Sequence, residues 1–288
     1  PTMFLIRRGL ALSSPGFLLI LLLGAVPLTV ILVWSFWTWD PATYWIKPTL
    51  SLDAYAAIGD AGRWSVIVGS FGKAFLAAFF CLLVGYPSAM AIHFVATPRW
   101  SFVLMAAFTI PFFTSYLIRA FSWRLVLGRT GMVNNYLMQI GLIDEPLDWL
   151  LFSDFAVMIG LIASYLPFVI FPLLLSLRKV EPNFLAASLD LGAGFLRTLF
   201  TIIIPLTKPG IFAGFLFVFI MAAGSSTEVQ MLGGAGAPMI SIMINDVMRV
   251  VNFPLAFAIS AVVIVALFTI VLAGNRVFGL TKMFEDFK

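Results

Sequence analysis

The chain has 288 residues, 62% of them hydrophobic and only 10% charged, with a formal net charge of +4. A soluble domain carries about a quarter charged residues, so the composition excludes a water-soluble enzyme or binding module and makes lipid the solvent for most of the chain. The single Cys81 and the single His93 exclude an internal disulfide and a Cys/His metal cluster. Cys81 reads as a small buried hydrophobe, and His93 as a residue at the end of an apolar run.

Six apolar segments come near the roughly 20 residues that a membrane-spanning helix needs: 16–37, 66–95, 102–122, 155–177, 209–224 and 255–278. With no water in the hydrocarbon layer the backbone must bond to itself, so these are expected to be helices. The first is too long for a secretory leader core, and no small-x-small site follows it, so it reads as a retained helix. Trp37, Trp39 and Trp45 flank it as interfacial aromatics do. After the third segment, residues 127–147 mix polar and apolar residues near helical spacing and are expected to lie along the outer interface. Between the fourth and fifth, residues 181–206 form a long polar-leaning stretch. The expectation is an all-α membrane protein with one transmembrane domain over 1–288.

Charge then sets the sides. Six spans place the N-terminus, the 96–101, 178–208 and C-terminal segments together. That side holds ten basic residues, including Arg7, Arg8, Arg99, Arg178, Lys179, Arg197 and Lys208, against four acids, Glu181, Asp190, Glu285 and Asp286. The opposite side holds six basic residues against nine acids. The positive-inside rule therefore predicts cytoplasmic termini and a cytoplasmic 181–206 segment.

Reactive constellations are missing from the sequence. There is no G-x-x-x-x-G-K-[ST] phosphate loop, no H-E-x-x-H and no G-x-S-x-G. The run Gly233-Gly234-Ala235-Gly236-Ala237-Pro238 lacks the Lys-Ser/Thr pair and reads as a tight turn. No catalytic residue and no metal site is expected. Asp154, Glu228 and Asp246 fall at outer span ends, where a charge marks either a pathway or simply a solvated loop. Lys73 reads as a snorkelling residue near a helix end.

Within 181–206 the pattern is informative. Pro182 suits a first helical turn, Ala186-Ala187-Ser188-Leu189-Asp190-Leu191 has helical spacing, and Gly192 and Gly194 stand where a helix is capped. Residues 197–204 read as a second helix, with Pro205 marking the return to the membrane. A short helix with small side chains, ended by a glycine break, can dock into a groove on another protein.

This segment resembles the cytoplasmic EAA loop of ABC importer permeases, Glu-Ala-Ala-x-x-x-Gly followed by a proline some dozen residues on. Here the glycine is Gly192 and the proline Pro205, and Asp190-Leu191-Gly192-Ala193 matches. Ala186 stands where the family has its glutamate, and Ser188 where it has alanine. Three further stretches are similar to the first permease subunit of the spermidine/putrescine branch: 110–123, with Ile110-Pro111-Phe112-Phe113-Thr114-Ser115-Tyr116; 127–147, with Leu127-Gly128-Arg129-Thr130-Gly131; and 165–173, with Tyr165-Leu166-Pro167.

The resemblance implies half of a heterodimeric pore in the bacterial inner membrane. A second permease subunit, two cytoplasmic ATPase subunits and an extracytoplasmic solute-binding protein would be its partners. ATP and Mg would be bound by the ATPases and no cofactor by this chain. Ala186, Ala187, Ser188, Asp190, Leu191 and Gly192 would form the ATPase-coupling helix. The cargo would be a polyamine or related cation, with permeases for opines, amino-acid derivatives or phosphonates as the alternative, and an ATP-independent channel or secondary transporter as a different class. A polycation needs carboxylates and aromatic faces; Tyr116, Trp123, Glu228 and Asp246 are the substrate-path candidates.

Overall fold

The computed structural model describes residues 2–60 and 62–278. Arg7 and Arg8 lie in a helical segment, 2–14, whose side chains are not described, and Lys282, Glu285, Asp286 and Lys288 lie outside the described residues. The chain is mostly helical and divides into two compact units, Pro1–Trp64 with Ile244–Ala266, and Ser65–Met243 with Leu267–Lys288.

The first unit begins with α1 (Thr2–Trp34). From Leu18 to Leu23 its side chains are exposed all round, as a helix facing lipid requires. Two three-residue strands follow, β1 (Thr38–Asp40) and β2 (Trp45–Lys47), paired antiparallel with Trp39 opposite Ile46. Lys47 closes this hairpin by donating to Asp40 at 2.8 Å. That hydrogen bond, with a second from the Ala42 N–H, lowers the Asp40 pKa to about 2. A single turn, α2 (Asp53–Ala56), is tied back by a 2.8 Å hydroxyl bond between Ser35 and Tyr55. Trp34 stacks on Trp37 at 5.2 Å and meets Phe257 edge-on at 5.9 Å.

The second unit contains the core. Its first long helix, α3 (Arg63–Met90), continues as a π-turn over Ala91–Val95. It buries Ala74, Ala77, Ala78, Cys81 and Ala89, small residues that let helix backbones approach in lipid. Cys81 is fully buried, as expected of a small hydrophobe.

The expected third span, 102–122, is not one helix. α4 (Pro98–Thr109) gives way to a 3-10 turn at Ile110–Phe113 and an extended Thr114-Ser115 link before α5 (Tyr116–Leu127). Pro111 is the cause, since its ring clashes with the preceding turn and it brings no N–H. The carbonyl of Pro111 is satisfied from the far side of the break, by Arg119 Nη1 at 3.0 Å.

Residues 127–147 contain the short α6 (Met132–Gln139). It is held by the fully buried Asn134, which donates to the Gly128 carbonyl at 3.0 Å and accepts the Leu147 N–H at 2.8 Å. Next comes α7 (Asp154–Leu177), whose cap Ser153 accepts the Ala156 N–H at 3.2 Å. Lys73 pairs with Asp154 at 2.5 Å and also reaches the Pro238 carbonyl at 3.3 Å.

After α8 (Pro182–Asp190) and α9 (Phe195–Thr198), a π-turn at Leu199–Ile203 leads into α10 (Ile204–Ala223). The fifth span is therefore longer than 209–224, and no break occurs at Pro205. The wider π ring re-routes the backbone bonds where proline donates none, so the helix runs unbroken through it. α10 packs along α7, and a Cβ at Gly210 would stand 2.7 Å from the Pro172 carbonyl oxygen. The chain closes with α11 (Ile240–Arg249) and α12 (Phe253–Phe278).

Among the described residues four helices are long and apolar enough to cross a membrane, Arg63–Val95, Asp154–Leu177, Phe195–Ala223 and Phe253–Arg276, with Leu18–Trp34 as a shorter apolar helix.

Candidate functional site

Two places in the second unit concentrate polar groups in an apolar frame. The first is the helical break at 181–206. Pro182 occupies the first turn of α8, where a missing N–H costs nothing. At the other end Gly192 takes a left-handed conformation, φ +72°. Its N–H donates to the Leu189 carbonyl at 2.8 Å, and the Ala193 N–H to Ser188 at 3.0 Å. This is the two-bond glycine cap that ends a helix without orphan carbonyls.

Ser188 points inward. Its hydroxyl shares a 2.7 Å bond with Thr198 on α9, and Thr198 also donates to the Gly194 carbonyl at 3.3 Å. The hydroxyl at the position where the family pattern has alanine thus pins α8 to α9. Ala186, Ala187, Asp190 and Gly192 are exposed, and Leu191 is 86% exposed. An apolar cavity of ≈ 600 Å³ lies beside Phe184, Ala187, Leu191 and Pro205, and another of ≈ 680 Å³ between α8–α9 and the Tyr86–Val95 end of α3. Exposed leucines beside open apolar hollows, on a helix made rigid by its cap and hydroxyl pair, suit a protein partner.

The second place is a cavity of ≈ 360 Å³ where α10 ends. Tyr116, Tyr165, Ser225, Ser226, Thr227 and Glu228 line it, with Ile220 and Met221. Glu228 is 2% exposed, so it is no solvated loop acid. Its Oε2 accepts from Ser225 at 2.6 Å, while Oε1 is buried without a partner. Ser225 is itself held through its carbonyl by the Ser241 hydroxyl. On α7, Gly160 leaves the room this turn needs: a Cβ there would meet the Glu228 side chain at 3.6 Å and collide with Leu232.

A buried carboxylate with a free lone pair is expensive unless a charge partner arrives. The opposite wall is aromatic, with the Tyr116 and Tyr165 rings 6.4 Å apart. The Arg119 guanidinium carbon lies 4.7 Å over the Tyr116 ring. A buried carboxylate in a cavity lined by aromatic rings can take an alkylammonium group.

Of the four path candidates, the cavity brings together Tyr116 and Glu228. Trp123 packs against the core and is not among the lining residues. Asp246 belongs to the other compact unit, with its side chain 62% exposed and 3.7 Å from Arg249. Sequence reasoning missed Tyr165, Ser225 and Arg119 as site residues, although Tyr165 and Arg119 lie in the stretches that carried the family resemblance. Among the described residues no group of three or more His, Cys, Asp or Glu is placed to hold a metal ion.

No protein-family model matches the chain. It is 36% identical over 229 residues to the spermidine/putrescine transport system permease protein PotB of Escherichia coli K12, covering 78% of this chain and 79% of the relative. The protein of the same name from Haemophilus influenzae Rd is 32% identical over 236 residues, 82% of each. A solved bacterial ABC transporter involved in the import of the acidic polysaccharide alginate matches 94% of this chain and 96% of its own, with TM-score 0.67 at 17% identity. That structural likeness establishes an ABC-permease fold, and the sequence relatives establish the branch: the chain belongs to the spermidine/putrescine transport system permease family.

Proposed function

We propose that this chain is an inner-membrane permease subunit of an ATP-driven polyamine importer. It forms half of the translocation pore beside a second permease subunit, receives its cargo from an extracytoplasmic binding protein, and leaves ATP and Mg to two cytoplasmic ATPase subunits. It crosses the membrane six times, with α4 and α5 as one broken crossing and both termini cytoplasmic; the asymmetry of basic residues supports this arrangement. α8, from Ala186 to Gly192, is the coupling helix seated in an ATPase groove. Its rigid cap, its hydroxyl pin and its exposed Leu191 support that role.

The observation that carries the cationic cargo is Glu228, buried in a two-tyrosine cavity with one carboxylate oxygen unused. A primary or secondary ammonium would satisfy that oxygen and rest on the ring faces.

The test is ATPase stimulation of the complete importer reconstituted with its binding protein. Spermidine or putrescine should stimulate it, and neutral or anionic organic solutes of similar size should not. A response to such a solute with none to either polyamine would remove the polyamine reading.

A further inference from the structure

Glu228 Oε1 has a counterpart. Arg119 Nε is also buried without a hydrogen-bond partner. The two orphan groups carry opposite charge, and the Tyr116 ring connects them, lining the cavity with Glu228 and carrying Arg119 on its face. Arg119 sits one helical turn after Tyr116 on α5, which lays its guanidinium 4.7 Å over the Tyr116 ring. Its Nη1 is committed to the Pro111 carbonyl at 3.0 Å. Tyr165, its ring 6.4 Å from that of Tyr116, lines the same cavity as Glu228.

The protein's own cation therefore occupies the aromatic face that the cargo's ammonium would use. We propose that Arg119 is a tethered competitor of the polyamine, displaced from the Tyr116 face when cargo enters and returning toward the Glu228 side of the cavity to expel it. This rests on the reading of the cavity as the polyamine site.

The chemistry favours this exchange. A buried carboxylate with an unpartnered oxygen is costly whenever the cargo is absent. A guanidinium with a free Nε–H offers the planar fork that matches a carboxylate, and it cannot lose its proton. A site built only from Glu228 and tyrosines would hold a polyamine well and release it slowly. A mobile internal cation lowers the affinity by competition and thereby favours release. It also makes the site selective, since a monovalent cation gains little over the arginine already present, whereas a polyamine can satisfy Glu228 and a ring face at once. Arg119 is thus a specificity-determining residue, acting through the groups that touch the cargo.

The experiment uses the complete importer in lipid nanodiscs, with labelled spermidine as the probe. It measures equilibrium binding without the binding protein, and ATP-driven uptake in proteoliposomes with it. Arg119→Gln should bind spermidine more tightly than the wild type by about 2- to 30-fold, the range of one cation–π contact, while its maximal uptake rate falls. Arg119→Lys keeps the charge but not the fork and should bind with intermediate affinity. A purely structural role, through the bond to Pro111, predicts weaker binding and weaker uptake together; that result overturns the proposal, as do wild-type values in Arg119→Gln. Should Arg119→Gln fail to assemble with the ATPases, Arg119→Lys decides alone: tighter binding supports the tethered cation, equal or weaker binding overturns it. Glu228→Gln separates the two levels. If it binds spermidine like the wild type, the cavity is not the polyamine site and both readings fall. If it loses binding while the Arg119 variants bind no tighter, only the tethered cation falls.

Discussion

Gly192 isolates what a single backbone angle does for energy coupling. Its φ of +72° is the one an L side chain resists, yet a Cβ there would touch nothing within 4 Å. Gly192→Ala therefore carries only the left-handed backbone cost, about 1–2 kcal/mol, with no steric collision added. The substitution should loosen the end of α8, lower the yield of permease co-purified with ATPase and reduce ATP-driven uptake, while spermidine binding at the cavity stays as it was. Uptake at the wild-type level would show that α8 does not transmit the stroke. This glycine was legible in the sequence, because a glycine after an apolar helical run signals a cap. Glu228 was legible only as an acid at a span end. Nothing in its neighbours, Thr227 and Val229, shows that the side chain turns inward, since it packs against α7 at Gly160, some seventy positions away in the chain.

At the scale of elements, the α8–α9 pair depends on two hydroxyls that differ in their alternatives. Thr198 has a second acceptor, the Gly194 carbonyl, whereas the recorded side-chain bond of Ser188 is to Thr198. Ser188→Ala should therefore be mild. Thr198→Val should cost more, about 1–3 kcal/mol, because it strands the buried Ser188 hydroxyl. The double variant should recover most of that loss, since removing both polar groups leaves none unsatisfied. Thermal stability of the assembled complex in the four proteins closes the cycle; additive losses would mean that the hydroxyl bond does not hold the pair. The two departures from the expected elements have local causes. The break in 102–122 was announced by Pro111, but in an apolar run a proline is as compatible with a kinked helix as with a broken one. The π-turn at 199–203 has no sequence signature, and it is what carries the helix past Pro205, which read as a boundary.

At the scale of the whole molecule, membrane class and family were legible because hydropathy and the glycine-capped loop are properties of composition and spacing. The side of each loop rests on charge asymmetry alone, and it decides whether α8 can meet an ATPase at all. Cysteine labelling tests it with little background, since Cys81 is fully buried among packed helices and should not react with a membrane-impermeant maleimide. Single cysteines at Glu145, between α6 and α7, and at Arg197, on α9, replace exposed residues of the second unit and should cost within about 0.5 kcal/mol. In intact spheroplasts Glu145→Cys should label and Arg197→Cys should not; after permeabilisation both should. The basic residues near Arg197 are held inside because their transfer across the bilayer is costly, so the outcome should not depend on whether the ATPase is co-expressed. Labelling of Arg197→Cys from outside would invert the topology, place α8 beyond the reach of ATP and overturn the coupling role together with the direction of transport.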